Sequence, residues 1–204
     1  YKAKFIPEDT NNYEIVENID ITITVGDSKA IINPNITVAN KVYDGTTNIS
    51  SSKINVSNLL SSEYSVVSAV SSNATVGQRT ATITLRLSDS KYLTHSFEGG
   101  VQEKEFIVNF EILKANINLN DQSKDVHVIY DGEEHSIDFN LECDSNANIR
   151  FMDSNNEYTL TEIPKYTEMG IYTTKYKVYI DDNYNEYYGQ KTLMIEDTIS
   201  YVID

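Results

Sequence analysis

Tryptophan is absent from this chain of 204 residues, and cysteine, proline and glycine are scarce, with one, three and eight copies. A single cysteine excludes an internal disulfide. So few prolines and glycines exclude a collagen-like or low-complexity chain. No run of about 18 apolar residues occurs, so no segment reads as a membrane-spanning helix and no membrane insertion is expected in this stretch. Basic residues are the minority, 16 against 31 acidic for a net charge of −15, which removes the basic footprint that nucleic acid requires. The chain starts at Tyr1 with neither an initiator methionine nor a signal-peptide pattern. It is expected to be a piece of a longer chain, with any export signal or anchor outside it.

What is present is β-structure. Hydrophobic residues make up 40% of the chain, and tyrosine dominates the aromatics with 15 copies against six phenylalanines. Apolar side chains alternate at a period of two in Ile19-Ile21-Ile23-Val25, Ala81-Ile83-Leu85-Leu87, Phe106-Val108-Phe110-Ile112 and Tyr172-Thr174-Tyr176-Val178-Ile180. No stretch of a dozen residues carries a helical stripe. Asn, Asp, Ser and Gly clusters interrupt the strands about every ten residues, the spacing of a β-sandwich. Cys143 continues the alternation of Ile137, Phe139 and Leu141, which predicts a packed core thiol on a buried strand face rather than a nucleophile. Export without disulfides fits a Gram-positive surface.

The chain repeats itself at a period near 85 residues. Tyr43-Asp44-Gly45 recurs as Tyr130-Asp131-Gly132, and the pairs Lys29-Ala30 and Lys114-Ala115 precede them by 14 and 16 residues. Tyr1 reaches Asn12-Tyr13 after twelve residues, as Tyr172 reaches Asn183-Tyr184. Thr80 reaches Tyr92 at the same interval with its apolar phase one residue out of step, which predicts a bulge or small insertion there. Residues 1–26 therefore read as the C-terminal strands of a preceding repeat, 27–114 as a complete repeat and 115–204 as another. Two strands alone bury too little to be stable, so 1–26 is expected either to pack on its neighbour or to lack its other half. The repeats differ in charge: residues 27–115 hold eight basic and eight acidic residues, residues 116–204 six and 18, and ten of the tyrosines lie in the latter. In each Asp-Gly pair, aspartate suits a turn and glycine supplies positive φ, which predicts a tight hairpin with the preceding tyrosine plugging the sandwich end.

Lys-Val-Tyr43-Asp-Gly-Thr-Thr resembles the opening of the YDG-type repeats of bacterial surface proteins. Val-Ile-Tyr130-Asp-Gly-Glu-Glu-His-Ser, with Gly170-Ile-Tyr172 and Asp182-Asn-Tyr184, resembles the related MBG-type repeats. The resemblance spans nearly the whole chain and lies in turn and strand features. It implies an all-β fold of tandem Ig-like β-sandwich domains on secreted or wall-attached bacterial proteins, used as stalks or adhesion modules, and supplies no catalytic residues. After Met194-Ile195-Glu196, Asp-Thr-Ile-Ser-Tyr stands where another Lys-Ala junction is expected.

No Gly-x-Ser-x-Gly, His-Glu-x-x-His, phosphate loop or Cys-x-x-Cys is present, so neither an enzyme nor a cofactor is expected. His127 and His135 flank Tyr130-Asp-Gly and could hold a metal if a hairpin joined them, but the favoured reading is that both project from strand faces into solvent, and no metal is expected. Asp181, Asp182, Asn183, Asn185 and Glu186 offer oxygen ligands for calcium, as do Asp153, Asn155, Asn156 and Glu157, but without EF-hand spacing. Asp and Asn also serve turns. Lys41 and Lys114 at strand ends raise the Lys–Asn isopeptide cross-link, for which no spacing singles out partners. Tyr179, Tyr187 and Tyr188, on or near an expected exposed edge of the acidic repeat, are the candidate ligand-binding residues, for a host protein or carbohydrate. The reading is a non-catalytic stalk or spacer of a bacterial cell-surface protein whose first partners are neighbouring repeats of its own chain. The alternatives are a ligand-binding module in the second domain and an accessory region of a secreted enzyme.

Overall fold

A computed structural model describes residues 1–23, 30–88 and 95–197. The junction Gly26-Asp27, Lys29, Tyr92 and the segment after Asp197 lie outside the described residues. Strands account for nearly all regular structure, with one 3₁₀ turn at Ser51–Lys53 capped by Ser50. The molecule is all-β.

The first sandwich grows from its alternating segments. Ala30–Ile31 (β3), Ile36–Val38 (β4), Lys41–Val42 (β5), Ile54–Val56 (β6), Tyr64–Ser71 (β7), Gly77–Leu87 (β8), His95–Ser96 (β9) and Glu103–Leu113 (β10) follow the hairpin strands Lys2–Phe5 (β1) and Val16–Asp20 (β2). One sheet has the order β5-β10-β8-β7, with β5 parallel to the end of β10, and the pairs β4-β6 and β3-β9 complete the repeat. Ala81, Ile83, Leu85 and Leu87 are at most 1% exposed and meet Ile36, Val56, Phe97, Phe110 and Ile112. Each isoleucine or leucine among them contributes about 1.5–3 kcal/mol by leaving water. The β8–β10 register runs without a break from Gly77↔Ile112 to Arg86↔Glu103, so the expected bulge in that pairing is absent. The irregularity falls instead between β7 and β8, at Val66 and Ser68.

The second sandwich repeats the plan with Ala115–Asn116 (β11), Leu119–Asp121 (β12), Val126–Ile129 (β13), Leu141–Cys143 (β14), Asn148–Met152 (β15), Tyr158–Leu160 (β16), Gly170–Tyr179 (β17), Tyr184–Asn185 (β18) and Tyr187–Glu196 (β19). Its large sheet has the order β13-β19-β17-β15-β16, again with the strand before Tyr-Asp-Gly parallel to the last strand. Register identifies equivalent positions. Gly77 pairs with Ile112 and Gly170 with Ile195, so Arg79, not Thr80, corresponds to Tyr172, and the apparent one-residue phase shift disappears.

The core of this domain contains a polar centre. Tyr176 is fully buried, edge-on to Phe139 and Phe151, and donates its hydroxyl to Asp121 Oδ2 at 2.6 Å. Tyr187 donates to the same oxygen at 2.8 Å. Burial works against the Asp121 carboxylate, but the hydroxyls of Tyr176, Tyr187 and Ser123 outweigh it and hold its pKa below the ordinary value. Burial and that carboxylate together push the Tyr176 phenol up. Gly189 pairs with Tyr176 across the sheet, and a Cβ there would fall inside the tyrosine ring. Cys143 is half-buried rather than fully packed, because its strand has only three residues and ends at the sheet margin; burial raises its thiol pKa.

Residues 1–23 depart further from expectation. β1 and β2 form a two-stranded sheet of their own, and the second strand ends at Asp20 instead of running on through Ile21 and Ile23. Phe5, Val16, Ile19, Ile21 and Ile23 are all exposed. Lys2–Asp20 and Lys4–Glu17 ion pairs cross the hairpin, but exposed pairs of this kind stabilise it by no more than about 1 kcal/mol each.

Candidate functional site

The repeated landmarks meet where the two sandwiches join. Only Lys114 separates β10 from β11. The Ala115 N–H donates to the Asn183 carbonyl at 3.0 Å, and β11 continues as a parallel partner of β18, Ala115 beside Tyr184 and Asn116 beside Asn185. Asn185 Nδ2 donates to Asn116 Oδ1 at 2.8 Å. From the first sandwich, the Tyr43 ring meets the Tyr184 ring edge-on, with centroids 5.4 Å apart, and the Val76 N–H donates to Asn183 Oδ1 at 3.0 Å. Asn183 is itself held in a turn by the Asp181 carboxylate, which accepts its N–H at 2.8 Å. Lys114-Ala115, Tyr43 and Asn183-Tyr184 thus form one joint. Sequence reasoning found all three but not their convergence. The signal was their recurrence once per period, which requires equivalent positions in successive domains.

Both Tyr-Asp-Gly segments adopt turns with positive φ at glycine, +75° at Gly45 and +82° at Gly132, and each aspartate accepts the N–H two residues on. They are not two-residue hairpins. β5 and β13 lie parallel to the final strands, and the chain then crosses to distant partners, Asn48 to Val70 and His135 to Tyr166. The tyrosine sits at the end of the sheet where the last strand finishes, its N–H donated to Leu113 in the first domain and to Glu196 in the second.

The side chain that holds each turn differs. Lys41, 6% exposed, donates to the carbonyls of Thr46 and Asn48 at 2.7 Å each and lies 2.8 Å from Asp44 Oδ1. That ammonium keeps the Asp44 carboxyl below its ordinary pKa. Its partners are carbonyls, a hydroxyl and a carboxylate rather than an asparagine side chain, so no isopeptide geometry arises at Lys41. At the corresponding place the second domain has Val128, and His135 Nε2 approaches Asp131 Oδ1 at 2.8 Å instead. The Glu133 N–H, then His135, lowers the Asp131 pKa. His127 pairs separately with Glu196 at 2.7 Å, so the two imidazoles share no site.

The candidate tyrosines belong to β17 and β19, inner strands of the sheet order, but at positions paired on one side only: β13 covers β19 only from Leu193 to Glu196, and Tyr179 lies beyond the end of the β17–β19 pairing. Tyr187 is half-buried with its hydroxyl on Asp121 and is part of the core. Tyr188, 54% exposed, donates to Glu186 at 2.5 Å and meets Tyr158 edge-on at 5.5 Å. Lys177 pairs with Glu186 at 2.6 Å and lies 5.1 Å from the Tyr179 ring centroid. The structure therefore brings Tyr179 and Tyr188 together around Lys177, adds Tyr158 and removes Tyr187. Glu186 drives the Lys177 pKa up, and Lys177 drives that of Glu186 down.

The calcium candidates disperse. Asp181 caps the Asn183 turn, Asn183 Oδ1 accepts from Val76, and Glu186 serves Lys177 and Tyr188, leaving Asp182 beside them without a converging set. Asp153 accepts from Asn155, Glu157 and Thr159 within its own turn. Among the described residues no three His, Cys, Asp or Glu side chains gather as a metal site, and no helix is long and apolar enough to cross a membrane.

No family model matches the chain, and no curated protein matches it. Among solved structures it is similar to the fibronectin(III)-like modules of Clostridium thermocellum CbhA, with 13% identity and a TM-score of 0.29 over 80% of this chain and 95% of that one. The fold stands on the strands and registers described above.

Proposed function

We propose that this stretch is a non-catalytic spacer, a stalk or adhesion-type repeat region of a bacterial cell-surface protein of the YDG/MBG kind. The observation that carries the reading is the joint. One linking residue, a ring contact and a side-chain hydrogen bond tie the sandwiches together, while the β11–β18 pairing anchors the linker to the second sandwich, and a short, bonded linker transmits orientation where a long flexible one does not. Function then resides in length and stiffness, and the first partner of each domain is the next domain of the same chain. Residual dipolar couplings provide the test. The wild-type domains should share one alignment tensor, and Tyr184→Ala combined with Asn183→Ala should separate it into two. Independent tumbling of the wild-type domains would remove the spacer reading.

A second reading has one observation in its favour: the cluster of half-buried Tyr158 and Tyr179 with exposed Tyr188 beside the Lys177–Glu186 pair, which joins flat apolar faces to polar groups as sugar-binding and protein-binding surfaces do. Binding on a glycan and matrix-protein array that disappears in Tyr188→Ala would support it. An array without signal at high protein concentration would leave the spacer reading alone.

A further inference from the structure

The joint has two halves, and the chain carries a spare of each. The receiving half in the first sandwich is Tyr43 with the Val76 N–H, at the end where β10 finishes. Register places Tyr130 and Met169 at the same positions of the second sandwich, since Val128↔Ile195 matches Lys41↔Ile112 and Gly170↔Ile195 matches Gly77↔Ile112. The supporting details coincide as well. Tyr130 donates its N–H to the last residue of β19 as Tyr43 does to the last residue of β10. Tyr172 lies over Gly170 and donates to the Glu168 carbonyl four residues back, as Arg79 lies over Gly77 and donates to the Thr75 carbonyl four residues back. The loop bearing Met169 is thereby held in the way the loop bearing Val76 is held.

The turns are held by different side chains, Lys41 and His135, and the occupancy differs. Tyr43 and Val76 are half-buried, whereas Tyr130 is 44% exposed and Met169 56%, with Ile129 and Ile171 exposed beside them. No ring contacts Tyr130 among the described residues. The inserting half has its own spare: Asn12-Tyr13 forms an aspartate-held turn on Asp9, like Asn183-Tyr184 on Asp181, and Tyr13 is 67% exposed. A cluster of apolar side chains at a preformed surface marks an interaction site.

We infer that the Tyr130–Met169 end of the second sandwich is a docking surface for the Asn-Tyr turn of another domain of this same repeat type. That turn's tyrosine packs edge-on against Tyr130, and its asparagine carbonyl oxygen accepts the Met169 N–H. The occupant follows from the internal equivalence, because the equivalent surface one repeat earlier is filled by an Asn-Tyr turn. The inference rests on the spacer reading and makes it specific: stiffness comes from one tyrosine–tyrosine contact and one asparagine–backbone bond per junction.

The test extends the full chain at Glu196 with a second copy of residues 114–197, reproducing the spacing at Leu113-Lys114-Ala115. Domain alignment tensors are then read by residual dipolar couplings. The second and added domains should share one tensor, as the first and second do, and Tyr130→Ala should separate the added pair only, while Tyr130→Phe retains it. Tyr130 is exposed, so an unchanged melting temperature of unextended Tyr130→Ala verifies that the domain still folds. If the added domain tumbles freely while the natural joint holds, the inference fails and the spacer reading stands. If neither pair shares a tensor, both fall. A shared tensor that survives Tyr130→Ala, or a dimer of the unextended chain abolished by Tyr13→Ala, overturns the assignment of this surface to successive repeats.

Discussion

At the centre of its large sheet the first sandwich buries Ala81, Ile83 and Leu85, whereas the second, at the equivalent positions of β17, buries Thr174, Tyr176 and Val178. Across the sheet the exchange is reciprocal: Ile83 faces Phe106, and Tyr176 faces Gly189. Two large apolar side chains give way to one ring over a glycine, so size and chemistry change together. The tyrosine, however, brings a hydroxyl that has to find an acceptor in the interior. Asp121 supplies it, and a carboxylate so placed needs several donors in turn, which Tyr187 and Ser123 complete. A single polar residue in the core therefore dictated three others, whereas the aliphatic core needed only size. The acidic, tyrosine-rich composition of the second repeat is in part this internal network and in part the surface cluster around Lys177.

The largest expected effect tests the aliphatic side of this contrast. Leu85→Ala should cost the first domain about 4 kcal/mol, the sum of lost transfer energy and a cavity. In urea the first transition should move while the second stays; coincident movement of both would show that the domains do not unfold separately. The hydrogen-bonded side comes next. Asp121→Ala leaves two phenolic hydroxyls without their acceptor and should cost the second domain about 3 kcal/mol, against about 1 kcal/mol for Tyr187→Phe, which removes donor and polar group together. Equal costs for the two variants would mean that water replaces the carboxylate. The smallest effect is pH-dependent. Because the folded pKa of Asp121 lies below its ordinary 3.8, its contribution is fully present above that value and is lost as pH falls through the lowered one. The urea midpoint of the second domain should therefore fall on acidification from about pH 5 to about pH 3, and less steeply in Asp121→Asn. Asp44 shifts in the same direction through Lys41, but its carboxylate is more than half exposed, so the first domain should respond less.

Period-two alternation determined the β class and the inward faces of β8, β10 and β17, because in a strand a side chain's face depends only on its parity. The recurrence of Tyr-Asp-Gly, Lys-Ala and Asn-Tyr determined that successive domains follow one plan. Gly45 and Gly132 were legible as positive-φ turns, since that preference is local. Parity could not tell that Tyr187 points at Asp121, 66 residues away, because an acceptor distant in sequence leaves no local mark. Nor could it show that β17 and β19 are central rather than edge strands, a matter of sheet order. Only the tertiary structure decided that Tyr43 meets Tyr184 and that Tyr130 stands open. The same three residues, Tyr-Asp-Gly, lie at the end of each sandwich, but Tyr43 packs against its own core and against Tyr184, whereas Tyr130 is exposed, a difference of surroundings that three identical residues cannot encode.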